Sequence, residues 1–248
     1  MTATAISGTN LRVLLARRPV AEPSRNDFEF SRVPVRDPGD GEVLVRTVYL
    51  SIDPYMRGRM RDTASYTAPV QIGDVMVGGV VGEVVATRSD RLQVGDIVEG
   101  RLGWQEYAIA RDHELRVVDP GLAPITTALG VLGMPGLTAY FGLLEVGCPH
   151  RDETVLVSAA SGAVGGVVGQ IARLQGCRAI GIVGSVMKRE YALTELGYHA
   201  VIDRTAGDVS AALSDVCPDG VDVYFDNVGG HILDAVLGHI NLHARIAI

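Results

Sequence analysis

Lysine is almost absent from this chain: of 22 Lys+Arg residues, Lys188 is the only lysine. Cysteine is scarce as well. Cys148, Cys177 and Cys217 stand far apart with no CxxC spacing. That excludes a disulfide framework and a cysteine zinc knot, and makes a reducing cytoplasm the expected setting. No run approaches the roughly 18 consecutive apolar residues of a membrane span. No basic stretch precedes an apolar core near Met1, so no secretory signal is read. Positive charge is not in excess either. With 29 Asp+Glu the net charge is -7, which argues against non-specific binding to nucleic acid or an anionic membrane.

What is present is apolar and glycine-rich: 47% hydrophobic residues and 30 glycines in 248. Such a chain can bury enough surface to offset its ordering entropy, so it is globular, with one large domain or two small ones. The first half reads as short strands separated by Gly/Pro turns, at 42–52, 78–86, 94–100 and 105–110, which suggests a small barrel or sandwich. The run at 78–86 is punctuated by glycine, as a bent, buried strand would be. Near residue 125 the rhythm changes. Residues 125–132 and 137–146 look helical, interrupted by Gly133-Met134-Pro135-Gly136. From Thr154 onward strands at 155–158, 179–183, 200–202, 221–225 and 244–248 alternate with helices near 164–175, 188–196, 208–216 and 231–240. That alternation specifies an α/β unit with a parallel sheet and helices on both faces.

The first of these strands runs into Ser158-Ala159-Ala160-Ser161-Gly162-Ala163-Val164-Gly165-Gly166. This is a dinucleotide-binding pattern with Ala160 in place of the usual first glycine. Gly162 would let the backbone approach a pyrophosphate, Gly165 would allow close helix–strand packing, and the helix start would supply amide donors. An NAD site places a carboxylate on the ribose roughly 20 residues on. Here the second strand ends in Val183-Gly184-Ser185, with no carboxylate, and Lys188-Arg189 follow. A carboxylate would repel a 2′-phosphate, whereas a small residue plus Lys188 accommodates one, so NADP is expected rather than NAD.

At this point the sequence resembles the zinc-independent branch of the medium-chain dehydrogenase/reductase superfamily, and within it the NADPH-dependent alkenal, prostaglandin and curcumin reductases. The segments that carry the likeness are 51–60 (Ser-Ile-Asp-Pro-Tyr-Met-Arg-Gly-Arg-Met), 103–107 and 134–143 (Met-Pro-Gly-Leu-Thr-Ala-Tyr-Phe-Gly-Leu), together with 159–165 and 224–230. The resemblance implies a GroES-like β-barrel catalytic domain over residues 1–125 and a Rossmann doubly wound sheet over 126–248. It also implies residue roles: Gly162, Ala163, Val164 and Gly165 on the pyrophosphate, Lys188 on the 2′-phosphate, Asn227 against the cofactor and Thr138 near the nicotinamide. Arg204 stands where the family often carries a tyrosine by the 2′-phosphate, a departure that keeps a donor and adds charge. Zinc is disfavoured. Zinc-dependent relatives carry a Gly-His-Glu motif near 78–83, where this chain has no histidine, and its six histidines are scattered and read as surface residues.

The implied chemistry is metal-free reduction of the C=C bond of α,β-unsaturated aldehydes and ketones. Hydride goes to the β-carbon while a hydroxyl polarises the carbonyl. Tyr55 and Tyr66 lie in loops that the resemblance places beside the nicotinamide, and either hydroxyl suits that role; the alternative for both is aromatic packing. Trp104 and Tyr107 read as barrel core. A quinone-reducing enzyme of the same superfamily, or an inactive NADPH-binding protein, would carry many of the same features. The partner is a small enal or enone, and a homodimer through the Rossmann half is a family expectation. Five parallel strands are counted where a doubly wound dinucleotide fold usually has six. The chain is therefore expected to be a truncated relative that lacks the last strand and a segment returning to the catalytic domain. Such a chain would bind NADPH weakly, turn over slowly or not at all, and associate.

Overall fold

The computed structural model describes residues 8–63 and 67–248. The chain divides into two compact units, Met1–Leu129 and Gly130–Ile248.

In the N-terminal unit, β1 (Thr9–Leu15) and β2 (Phe28–Pro34) pair as an antiparallel ribbon. The sequence did not announce it, because β2 buries none of its residues fully and so has no apolar periodicity to read. Then come β3 (Glu42–Leu50), the short helix α1 (Tyr55–Arg59), β4 (Val80–Thr87), β5 (Ile97–Gly100), β6 (Tyr107–Arg111) and β7 (Arg116–Val117). These strands form an antiparallel sheet in the order β6-β3-β4-β5-β7. Four of the five overlap the runs read as strands, and two-residue β7 is new. Among the described residues no ladder joins β6 to β7, so the expected barrel is open along that seam. Its core is Val43, Val45, Val80, Val84, Val98 and neighbours. Trp104, expected in that core, packs elsewhere. It stacks on Phe28, with ring centroids 5.5 Å apart, in a separate cluster with Leu15, Met56, Met60, Val70 and Met76.

The C-terminal unit opens with α2 (Met134–Phe141), which continues into a π-helical stretch over Gly142–Gly147. Pro135 sits in the first turn of α2, where its missing N–H has no partner to lose, so the motif read as an interruption is a helix start. Residues 125–132 supply only the 3-10 turn Ile125–Leu129. Next follow β8 (Thr154–Ser158), α3 (Gly165–Leu174), β9 (Arg178–Val183), α4 (Val186–Thr194) and β10 (Ala200–Asp203). The unit closes with α5 (Val209–Val216), β11 (Val221–Phe225), α6 (Gly230–Leu237) and β12 (Ile240–Ala247). All ladders are parallel in the order β10-β9-β8-β11-β12, as the strand–helix alternation required.

Both faces of this sheet are covered. Val155, Val157, Ala179, Val223 and Phe225 pack in one cluster with α3, and Leu156, Ile180, Ile182, Ile202 and Tyr224 in another with α5 and α6. Each fully buried Val, Leu, Ile or Phe side chain contributes about 1.5–3 kcal/mol relative to exposure. The last strand differs from expectation. β12 begins at Ile240, and its pairing jumps from Val221 with Ile240 to Val223 with Arg245. The extra residues bulge out, with His243 at a φ of 66° and Leu242 and His243 exposed. That irregularity hid the strand's start. Strand order reverses between β8 and β11, which puts a crevice beyond their carboxyl ends.

Candidate functional site

The crevice is built on the turn between β8 and α3. Ala159 takes the left-handed conformation, with a φ of 47°. The tight turn therefore falls at 159 and not at 160, where the motif led us to look for it. Ala160 is fully buried, and its methyl fits because Gly181 on β9 has none: a Cβ there would lie 2.7 Å away. At Gly165 a Cβ would stand 2.4 Å from the Ala159 carbonyl oxygen, so only glycine lets α3 start this close to the turn. Among the described residues, no backbone carbonyl accepts from the amides of Ala163, Val164 or Gly165. They are the free donors of a helix start.

Behind the turn sits Tyr198, which the sequence reading passed over. Its ring fills the space that side chains at Gly169 and Gly181 would need, and its hydroxyl donates to the Gly165 carbonyl at 2.6 Å. Burial pushes that phenol's pKa well above its ordinary value, so it stays a donor.

A cavity of about 400 Å³ opens in front of this turn, lined by Ala159, Ser161 and Gly162 on one side and by Gly184, Lys188 and Arg204 on another. Val228, His231 and Ile232 form its third wall. Lys188 lies in the first turn of α4, whose Ser185 cap accepts from the Lys188 amide. Lys188 thus joins the cavity wall at the positive end of that helix. Arg204 follows β10, and its amide extends the ladder by donating to the Val183 carbonyl at 3.0 Å. Its guanidinium lies over Gly184, where a Cβ would come within 3.2 Å of two of its nitrogens. The preceding residue, Asp203, holds that turn by accepting from the Thr205 amide and hydroxyl at 2.9 and 2.7 Å. These two bonds hold its carboxyl below the usual carboxylate range, against the opposing effect of desolvation.

The third wall hangs on Asp226, just after β11. One of its oxygens accepts from Ser158 Oγ at 3.0 Å, from the Tyr224 hydroxyl at 2.8 Å, and from the amides of Val228 and Gly229 at 3.0 and 2.9 Å. Burial opposes the charge, but these donors outweigh it and keep the carboxyl below its ordinary pKa. The network ties β8 to the turn that leads into α6.

The structure thus brings Gly162, Lys188 and Arg204 into one cavity, with Ala163, Val164 and Gly165 at its edge. Asn227 is not among the residues that line it. Its side chain donates to the Ser158 carbonyl at 2.8 Å, and its amide to Ser158 Oγ. Thr138 lies exposed on α2, away from the cavity's lining. Tyr55 opens helix α1 of the N-terminal unit, partly buried on the Met56–Met60 cluster, where a loop had been expected. Tyr66 lies outside the described residues. Among those residues no three His, Cys, Asp or Glu side chains gather into a set that could hold a metal ion.

Three free amides, two cations and a glycine floor are the donor set that a phosphorylated dinucleotide requires. Comparison with known proteins agrees. The family described as N-terminal domain of oxidoreductase matches residues 12–118, and the one described as Zinc-binding dehydrogenase matches 163–248. An NADPH-dependent curcumin reductase of Escherichia coli (strain K12) is 47% identical over 239 residues, covering 96% of this chain and 69% of that protein. This chain belongs to the medium-chain dehydrogenase/reductase superfamily. A second member, the 2-alkenal reductase (NADP(+)-dependent) of Nicotiana tabacum, is 40% identical over 247 residues, 97% of this chain and 72% of its own length. Among superfamily structures, CurA from Vibrio vulnificus in complex with NADPH superposes with a TM-score of 0.91 at 46% identity, covering 95% of this chain and 70% of that one.

Proposed function

We propose that this protein reduces the C=C bond of α,β-unsaturated aldehydes and ketones with NADPH. The observation that carries the reading is the cavity at the end of β9. It offers Lys188 and Arg204 and lacks the carboxylate that would select NAD, in a chain whose relatives are NADPH-dependent reductases. In this reading the amides of Ala163, Val164 and Gly165 hold the pyrophosphate across Gly162, and Lys188 and Arg204 hold the 2′-phosphate. Asn227 lies against the cofactor and Thr138 near its nicotinamide end. The chemistry that a bound NADPH supplies is a hydride for the β-carbon of the conjugated double bond. Tyr55 and Tyr66 are the candidate hydroxyls that hydrogen-bond the carbonyl oxygen, where negative charge develops. Residues 1–125 act as the catalytic domain and 126–248 as the cofactor domain of a cytoplasmic, homodimeric enzyme.

The test is consumption of NADPH against a short panel of enals, enones and quinones, with and without exhaustive chelation. Turnover of enals or enones that survives chelation supports the reading. Turnover of quinones alone reassigns the acceptor, and binding of NADPH without turnover of any of them makes this a cofactor-binding protein.

A further inference from the structure

His231, read from the sequence as one of six surface histidines, is exposed and lines the same cavity as Lys188 and Arg204. It sits in the first turn of α6, and its approach is set by the Asp226 network, which pins the preceding Val228 and Gly229 amides. Resting on the cofactor reading above, we propose that His231 is a pH-dependent third cation for the phosphorylated adenosine end of NADPH.

The effect is electrostatic. An ordinary imidazole has a pKa near 6.5 and so is the one side chain that gains charge between pH 8 and 5 without special help. The ionisable groups sharing its cavity are Lys188 from α4 and Arg204 from the loop after β10. On its own helix Asp234 stands one turn further on, and α5, packed on α6, carries Asp208 at its N-cap and Asp215. The turn after β8 contributes no ionisable group, and Asp226 is buried and already satisfied by four donors. A phosphate dianion beside the ring favours the imidazolium, which can then make a charge-assisted hydrogen bond. Binding should therefore take up a proton at His231, and affinity should rise as pH falls through the imidazole range. The 2′-phosphate, with its own pKa near 6, works in the opposite sense: its contact with cations releases a proton. The sign separates the two.

The experiment is direct titration of the chain, its H231Q variant and its H231R variant with NADPH, NADH and adenosine 2′,5′-bisphosphate at pH values from about 5.5 to 8.5. Binding is read by cofactor fluorescence and by calorimetry in buffers of different ionisation enthalpy. The expected result is equal NADPH affinity for the unaltered chain and H231Q near pH 8.5, opening to a difference of about 3- to 10-fold at pH 6. Proton uptake should be present in the unaltered chain and absent in H231Q, and H231R should be tight at every pH. The bisphosphate should follow NADPH, and NADH should show a smaller pH-dependent gap. Superimposed profiles of the unaltered chain and H231Q would overturn this inference alone. No binding of NADPH by the unaltered chain at any pH would overturn the cofactor reading and this inference with it.

Discussion

The two sheets handle the same apolar composition in different ways. β8 is buried at every position and β9 at all but its first, because helices cover both faces of the parallel sheet. In the five-stranded antiparallel sheet β4 alternates along its second half, and in the separate β1–β2 ribbon β2 buries nothing fully. Their polar groups differ too. In the C-terminal unit the buried Ser158, Tyr224 and Asp226 satisfy one another. Among the described residues, buried nitrogens of Arg12, Arg57, Arg59 and Trp104 in the N-terminal unit have no hydrogen-bond partner, against Asp203 Oδ2 alone in the C-terminal unit. The lesson is that the parallel unit specifies its geometry through backbone and close packing, whereas the antiparallel unit leaves more of its conformation to irregular segments.

The largest effect should come from adding a side chain where α3 meets its turn. Gly165→Val forces a Cβ against the Ala159 carbonyl and should cost about 3–5 kcal/mol, in the exceptional range for one substitution. Trp104, the chain's one tryptophan, reports the N-terminal unit. If the units differ as described, its emission transition in denaturant should move far less than the circular dichroism transition. Equal shifts in both signals would break the comparison.

Asp226→Asn tests the satisfied network. It should destabilise the C-terminal unit by about 2–3 kcal/mol, since a charge accepting four hydrogen bonds is replaced by a weaker acceptor. The folded carboxyl titrates below its unfolded value. The difference between the two proteins should therefore be full above about pH 4 and shrink as pH falls through the folded value. A constant difference down to low pH would remove the charge from the explanation.

Lys188→Ala should leave stability unchanged and weaken NADPH binding by about 10- to 30-fold, or 1.4–2 kcal/mol. NADH binding should hardly change, because only NADPH carries the 2′-phosphate. Equal losses for both cofactors would take Lys188 out of that role.

The smallest effect is expected in the N-terminal unit. Asp27 is held at a pKa of about 2 by the Ser24 amide and by Arg17, whose Nε donates at 2.6 Å. Its contribution is present above the unfolded value near 3.9 and is lost as pH falls through 2. Asp27→Asn should lower the Trp104-detected midpoint slightly at neutral pH, and the difference should fade as pH falls through 2. A larger effect than that of Asp226→Asn would reverse the ranking of the two units.

Periodicity, glycine spacing and charge were enough to read the parallel half from the chain alone. Short apolar runs alternating with helices specify a parallel sheet, and Gly162, Lys188 and Arg204 reach one cavity because each lies in the segment that leaves the carboxyl end of a strand. Identity at strand ends is a local property, so it survives in the sequence. What the sequence could not carry depends on contacts between distant residues. Ala159 takes the left-handed turn because Ala160 must bury its methyl against Gly181. Tyr198 sits behind Gly165 because Gly169 and Gly181 make room for it. His231 enters the cavity because Asp226 draws the start of α6 toward Ser158. Each of these is decided by packing across strands, where one residue's missing side chain sets another's position, and only the tertiary structure brings the pair together.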